Sequence, residues 1–472
     1  MPNHNIKNNN IPTAIVVFGG TGDLAETKLL PALLDLYLEQ ALPDSFVIIG
    51  LSRKQLSDED YQGFVRASIN KKGHNHNDEL VNAFCSHLRY VSGAFDDVSA
   101  YERIKTALSF FDESIKQCTN KLFYLAVPPQ FYKTIFTNLA ESQAMKLCDS
   151  IGSWSRLLVE KPFGKDLITA QALEKQLCSL FADEQIYRID HYLAKDAIEN
   201  IISLRFANSI LADSWNKERI ESITIRLLET KDVANRGSFY DGIGTLRDVG
   251  QNHLLQTLAL LTMSPVDTHQ PEAVRQARSS ALQLLLTQKP DTVIRGQYRG
   301  FTETAGVNGD SETETYFKIS LVVEAPTWQG VRLTLEAGKA LNEVVNEAII
   351  TFKPLDICHC AFSHEAHYHR NRLRIRFSPE QEISLLLWTK KPGFYFSLEA
   401  RELELMHTDS TDTHSPEAYE RVLFDCIAGD QTRFVSGAEV ESSWEFITPI
   451  LETFLTLPLY QYEKGSSGPA VE

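Results

Sequence analysis

Ala14-Ile15-Val16-Val17-Phe18-Gly19-Gly20-Thr21-Gly22-Asp23-Leu24-Ala25 is the stretch on which the fold turns. The apolar run Ala14 to Phe18 reads as a short buried strand, and the glycines after it read as a tight turn. From Asp23 the apolar positions Leu24, Leu29, Leu30, Leu33, Leu34 and Tyr37 recur with helical spacing. Strand, glycine turn and helix in that order let the backbone approach a ligand at a helix N-terminus, where amides and dipole favour an anion. Gly20-x-Gly22-x-x-Ala25 therefore marks a candidate pyrophosphate cradle, although by itself it also suits a glycine turn with no ligand.

Working outward, Phe46-Val47-Ile48-Ile49-Gly50 follows Leu42-Pro43-Asp44 as a second strand, so the opening unit is βαβ and its sheet is expected to be parallel. Lys121 to Val127 and Arg156 to Glu160 extend that sheet. The second strand runs into Leu51-Ser52-Arg53, where a site for NAD would place an acid on the ribose. Arginine there favours a 2′-phosphate instead, the plain alternative being an exposed loop residue. Further along, a helical stretch from about Asp190 gives way to alternating segments: Ser222 to Leu227, Tyr316 to Val323, Arg332 to Leu335 and Glu347 to Phe352. These predict a mostly antiparallel sheet with one covered face. The expected fold is an α/β Rossmann-like dinucleotide-binding domain over residues 11–185, followed by an α+β domain over 186–472 with a large, mostly antiparallel sheet. The Asn-rich first ten residues read as a tail, and Thr302 to Glu314 and His407 to Pro416 as surface loops.

With 472 residues the chain is too long for one ordinary core. A formal net charge of −16 argues against nucleic acid as a partner, because backbone binding needs a basic face; an anionic substrate would need a local basic pocket. No apolar run approaches the roughly 18 residues of a membrane span, and the first residues have no apolar segment like that of a signal peptide, so a cytoplasmic protein without membrane partners is expected. Seven dispersed cysteines suit free thiols in a reducing compartment. Only Cys358-His359-Cys360 clusters, and its spacing is not that of a usual zinc site, so no metal is expected.

Three further stretches carry chemistry. Glu160-Lys161-Pro162-Phe163-Gly164 closes a buried strand at the carboxyl edge, where ligands of open α/β sheets bind, so Lys161 could reach both a nicotinamide ribose and a sugar hydroxyl. Its bland alternative is an ion pair with Glu160. In Tyr187-Arg188-Ile189-Asp190-His191-Tyr192-Leu193-Ala194-Lys195, a helix capped by Asp190 would put His191 and Lys195 one turn apart, with Tyr192 beside them, as a phosphate pocket. In Arg247-Asp248-Val249-Gly250-Gln251-Asn252-His253, His253 sits among apolar residues; such a histidine is commonly a hydrogen-bonded core residue. Oxidising an alcohol nevertheless requires a base for the hydroxyl proton, and imidazole suits neutral pH if a carboxylate orients it.

Together these residues resemble the glucose-6-phosphate dehydrogenase family over nearly the whole chain. Gly19 to Ala25 resembles its opening turn, with Lys28 where the family has a lysine. Arg188 to Lys195 is similar to its most specific signature except at Ala194, and Arg247 to His253 to the segment ending in its catalytic histidine. Gly338-Lys339-Ala340-Leu341 and Tyr419-Glu420-Arg421 follow in order. The resemblance implies oxidation of glucose 6-phosphate by NADP, with NAD possible, in a homodimer or homotetramer. It implies that His253 takes the C1 hydroxyl proton and pairs with Asp190. His191, Tyr192 and Lys195 would bind the phosphate; Lys161, Glu229, Asp248 and Lys339 would hold sugar hydroxyls. Gly19, Gly20, Thr21, Gly22, Asp23, Leu24, Lys28, Arg53, Tyr132 and Lys161 would bind the cofactor. Glu229, Asp248, Tyr132 and Lys339 rest on the resemblance alone. Val344 stands where many members carry a second basic residue, Ser378 where glutamine is common, and Ala194 where glycine is usual. The competing readings are an oxidoreductase of an unphosphorylated sugar and a catalytically weakened cofactor-binding homologue.

Overall fold

The computed structural model describes residues 11–71, 77–146, 152–268, 270–355, 369–394, 397–406 and 416–470. The first ten residues, most of the loop expected at 407–416 and the Cys358-His359-Cys360 cluster lie outside the described residues. The strands are β1 Thr13–Phe18, β2 Phe46–Ser52, β3 Leu88–Ser92, β4 Asn120–Leu125, β5 Ser155–Val159, β6 Ile186–Ile189, β7 Ile220–Leu228, β8 Thr292–Tyr298, β9 Tyr316–Val322, β10 Arg332–Gly338, β11 Val345–Phe352, β12 Arg372–Ser378, β13 Glu382–Lys390, β14 Leu398–Met406, β15 Phe434–Val435 and β16 Leu459–Tyr462.

The first sheet runs β15-β6-β5-β4-β1-β2-β3 and is parallel except for β15. β1, β2 and β4 are buried along their whole length, as strands covered on both faces must be, which is why they read as continuous apolar runs and not as alternations. The strand order reverses between β1 and β4, and in such sheets a crevice opens outside the carboxyl ends at that point. Gly19 sits there with φ +81°, and a Cβ on it would lie 2.3 Å from the Ala126 carbonyl oxygen, so no other residue fits. After the turn the chain makes a π-helical segment, Ala25–Leu29, before the regular helix Leu30–Leu38.

The second sheet runs β14-β13-β12-β11-β7-β10-β9-β8-β16; only the β7–β10 and β8–β16 pairs are parallel. Its covered face packs on the helical stretch 246–262, and one apolar core continues from Val16 and Phe123 of the first sheet through Leu254 to Ile223 and Leu335 of the second.

Three expectations are corrected. β6 pairs in parallel with β5, Leu157 opposite Ile186, so the first sheet continues beyond residue 185; four fully buried residues inside a polar-looking signature give no alternation to read. The helix expected from Asp190 begins at Asp196 as Asp196–Ala207, and residues 191–195 are turns, because the Asp190 side chain accepts from the Tyr192 amide and its carbonyl from the Leu193 amide. Cys118 is disulfide-bonded and not a free thiol, whereas Cys85, Cys178 and Cys426 are free. Among the described residues no helix is long and apolar enough to cross a membrane.

Candidate active site

The carboxyl end of β5 delivers Glu160 and Lys161, the end of β6 delivers Asp190 and the turn after it, and a π-helical segment, Leu246–Leu254, delivers Asp248 and His253 from the opposite wall. The helix type matters. Residues five apart lie about 140° round an α-helix at about 100° per residue, whereas a π turn closes its hydrogen bonds between i and i+5 and brings such a pair towards one face. Asp248 and His253 are five apart, and both reach Lys161: Lys161 Nζ is 2.9 Å from His253 Nε2, 3.1 Å from the Asp248 carbonyl and 4.0 Å from Asp248 Oδ1. The segment is anchored at its start by Glu314, whose buried carboxylate accepts from the Leu246 amide at 3.0 Å. Burial pushes the Glu314 carboxyl up to about 7.

His253 is 4% exposed, and its Nδ1 lies 2.6 Å from Asp190 Oδ1, itself 2% exposed. An ionised carboxylate only accepts, so the proton sits on Nδ1 and the Nε2 lone pair faces Lys161. Burial and the Lys161 ammonium pull the imidazole below its ordinary value, and Asp190 opposes them without prevailing. Burial works against the Asp190 charge, but His253, His191 and Lys161 outweigh it and hold the carboxyl well below the usual range. The resting state is therefore a neutral imidazole on an ionised aspartate, a base with its lone pair aimed into the crevice.

The turn 191–195 brings His191, Tyr192 and Lys195 together without a helix. The Tyr192 ring stacks on His253 with centroids 4.8 Å apart, the His191 ring meets His253 edge-on at 5.0 Å, and Lys195 Nζ lies 4.1 Å from the Tyr192 centroid. Burial lowers both His191 and Lys195 from their ordinary values. Ala194 is 1% exposed with its methyl in the core, so its difference from glycine is absorbed by packing. On the second sheet's side, Lys339 Nζ is 2.6 Å from Glu229 Oε2 and 3.9 Å from Asp248 Oδ2. Lys161, Asp248, Lys339 and Glu229 thus alternate in charge in a row that crosses from the first sheet to the second, a set of donors and acceptors suited to a polyhydroxyl ligand. Val344 is 46% exposed between β10 and β11.

At the cofactor end, Gly19 and Gly20 donate to the Leu51 carbonyl and Gly22 to that of Gly19, so these glycines build the turn and the amides of Asp23 and Leu24 occupy the unpaired positions of a helix start. The Thr21 and Ser52 hydroxyls are 2.8 Å apart. Arg53 is exposed just beyond β2, followed by Lys54 and not by an acid, so the residues fit a 2′-phosphorylated dinucleotide. Lys28 is half-exposed, 3.7 Å from Glu417. Tyr132 differs from the rest: it is 1% exposed and its hydroxyl donates to the Glu160 carbonyl at 2.7 Å, so it supports the end of β5 from beneath and presents no free surface.

Sequence reasoning missed three residues. Lys161 turns to His253 and Asp248, not to Glu160, which is buried and bonded to the Tyr124 hydroxyl at 2.5 Å; burial pushes the Glu160 carboxyl up to about 7. Tyr419, from the helix Ala418–Ala428, also bonds Glu160 and stacks on His191 at 6.1 Å. Asn346, on β11, accepts from the Tyr192 hydroxyl. Glu160 and Tyr419 stood in stretches singled out from the sequence, though not in these roles; the only signal for Asn346 is a lone amide near the start of a strand.

A parallel sheet with a glycine turn at its switch point, joined to an antiparallel sheet across a His-Asp-Lys cluster, defines a two-domain nicotinamide-dependent oxidoreductase. The family model "Glucose-6-phosphate dehydrogenase, NAD binding domain" matches residues 16–200, and "Glucose-6-phosphate dehydrogenase, C-terminal domain" matches residues 202–472. The chain belongs to the glucose-6-phosphate dehydrogenase family. It is 36% identical over 98% of its length to the glucose-6-phosphate 1-dehydrogenase, cytoplasmic isoform, of Solanum tuberosum, covering 91% of that protein. To the enzyme of Bacillus subtilis it is 34% identical, covering 98% of this chain and 96% of that one. A solved structure described as glucose-6-phosphate dehydrogenase in complex with its substrate glucose-6-phosphate matches with a TM-score of 0.87 at 34% identity, over 97% of this chain and 95% of that one.

Proposed function

We propose that the protein oxidises D-glucose 6-phosphate at C1 with NADP, yielding 6-phospho-D-glucono-1,5-lactone and so opening the oxidative pentose phosphate pathway. The observation that carries the reading is the Nε2 lone pair of a neutral, aspartate-held His253 lying beside Lys161. A C1 hydroxyl bound there gives its proton to Nε2 as the C1–H bond breaks, and Asp190 stabilises the imidazolium that forms. NADP, held beside the crevice, would supply the nicotinamide as hydride acceptor for C1. Lys161, Asp248, Lys339 and Glu229 hold sugar hydroxyls so that C1 faces both the base and the cofactor. Lys195 supplies charge to the 6-phosphate, with His191 as a polar neighbour. Arg53 and the start of the first helix hold the cofactor's phosphates.

Residence in the cytoplasm is part of the same reading, supported by the cytoplasmic isoforms among the relatives. So is a homodimer or homotetramer, supported by Leu387, Leu403 and Leu405, which leave β13 and β14 with exposed apolar side chains. The test is the initial rate of nicotinamide reduction with glucose 6-phosphate or glucose, each with NADP or NAD. Turnover of the phosphorylated sugar with NADP is expected. Turnover of glucose alone, or of no pair, would overturn the reading.

A further inference from the structure

β11 and β12 pair antiparallel, but Asn346 is opposite Ser378 while Glu347 is opposite Arg376, so Phe377 is an extra residue and the register shifts beside the site. Such a bulge re-aims side chains, and here Asn346 and Phe377 meet Tyr192 while Ser378 backs Asn346. Asn346, 8% exposed, accepts from the Tyr192 hydroxyl through Oδ1 and donates to Ser378 Oγ at 3.1 Å through Nδ2. The Phe377 ring meets that of Tyr192 edge-on, with centroids 6.2 Å apart. Tyr192 in turn stacks on His253 and underlies the Lys195 ammonium. Its phenol is buried and stays protonated, so it remains a donor across the working pH range.

We infer that Asn346 is a positioning residue: through the Tyr192 hydroxyl, and backed by Ser378, the bulge of the second sheet fixes the ring against which the base His253 and the cation Lys195 are set. The inference rests on His253 acting as the base. An aromatic ring with a free hydroxyl can tilt about its Cβ; one tied at the far end cannot, and the imidazole stacked on it is held in the plane that aims Nε2 at the substrate. Ser378 matters because a second bond at the other end of the amide holds the Asn346 side chain in place under the Tyr192 hydroxyl.

The test is a double-mutant cycle on the full chain with Asn346→Leu and Tyr192→Phe, reading kcat and KM for glucose 6-phosphate separately. Losing a neutral buried hydrogen bond predicts a fall of about five- to twentyfold in kcat/KM for Asn346→Leu. In the Tyr192→Phe background the same change should have almost no further effect, because the bond through which it acts has gone. A role confined to sheet stability would make the two effects multiply, which overturns the inference. If Asn346→Leu does not fold, Ser378→Ala takes its place: a smaller fall is expected, again absent in Tyr192→Phe, and a fall unchanged in that background refutes the inference. His253→Asn, run alongside, separates the failures: full activity there sinks the base assignment itself, whereas its loss together with additive Asn346 effects sinks only this inference.

Discussion

Replacing Asp190 by asparagine tests the centre of the mechanism with the smallest change in shape. Asp190 is 2% exposed, and its Oδ1 is 2.6 Å from His253 Nδ1, so the pair is dry and short. Two effects follow. The imidazolium formed in the reaction loses its counter-charge, and an amide that turns its NH2 towards Nδ1 selects the tautomer with hydrogen on Nε2, where the substrate proton must arrive. Breaking a buried charged pair costs about 3–5 kcal/mol, and at about 1.4 kcal/mol per decade kcat should fall by about two to four orders of magnitude. KM for the sugar phosphate should change little, because Asp190 touches the base and not the phosphate pocket. The pH profile sharpens the test. His253 works as the neutral base, so kcat/KM of the parent falls as pH drops through its pKa, already below the ordinary value through burial and Lys161. Removing the Asp190 charge takes away the larger of the two carboxylates, Asp190 and Asp248, that support the cation, so the residual activity should persist to still lower pH. The assay is initial-rate nicotinamide reduction from pH 5 to 9, with circular dichroism as a control for folding. A variant within about threefold of the parent in kcat would refute the assignment of Asp190 and His253 as a working pair.

Lys195→Ala removes a cation from the turn beside His191 and Tyr192, and should raise KM for glucose 6-phosphate about 10- to 100-fold with a smaller change in kcat, the size expected of a charge-assisted contact to phosphate; an unchanged KM takes Lys195 out of the pocket. Arg53→Ala should weaken NADP about tenfold or more while leaving NAD nearly unaffected, read from KM for each cofactor, because only NADP carries the 2′-phosphate; equal losses for both would mean that Arg53 does not read that group. Glu314, fully buried and raised to about 7 in the folded protein, binds more protons folded than unfolded between its ordinary value of 4.5 and about 7, so its contribution to stability falls as pH rises through that window. Glu314→Gln should remove that slope, on the order of 3 kcal/mol across the window, in denaturant titrations at pH 5 and 7.5; an unchanged slope would show that Glu314 is not its source.

Much of this was legible in the chain. A parallel sheet covered on both faces requires strands apolar at nearly every position, so Ala14 to Phe18, Phe46 to Gly50 and Leu122 to Leu125 identify themselves, and the glycines after the first of them declare a turn so tight that a Cβ on Gly19 would lie 2.3 Å from the Ala126 carbonyl oxygen. His253, Asp190, Lys161 and Lys195 were legible because their chemistry is unusual for the segments that hold them. What tertiary structure alone decided is how these pieces meet. Nothing local separates a π-helix from an α-helix over Leu246–Leu254, yet that choice brings Asp248 and His253 to the same lysine. Asp190 was read as a helix cap because an aspartate before a polar run usually is one; in the fold its carboxylate orients the base, and the helix waits until Asp196. Tyr419 and Asn346 lie 229 and 156 residues from Asp190 along the chain, counted from their numbers, and reach His191 and Tyr192 of the turn after it only through packing. Sequence specifies a residue's chemistry and its nearest neighbours along the backbone; contacts across such separations are fixed only when the two sheets close on one core.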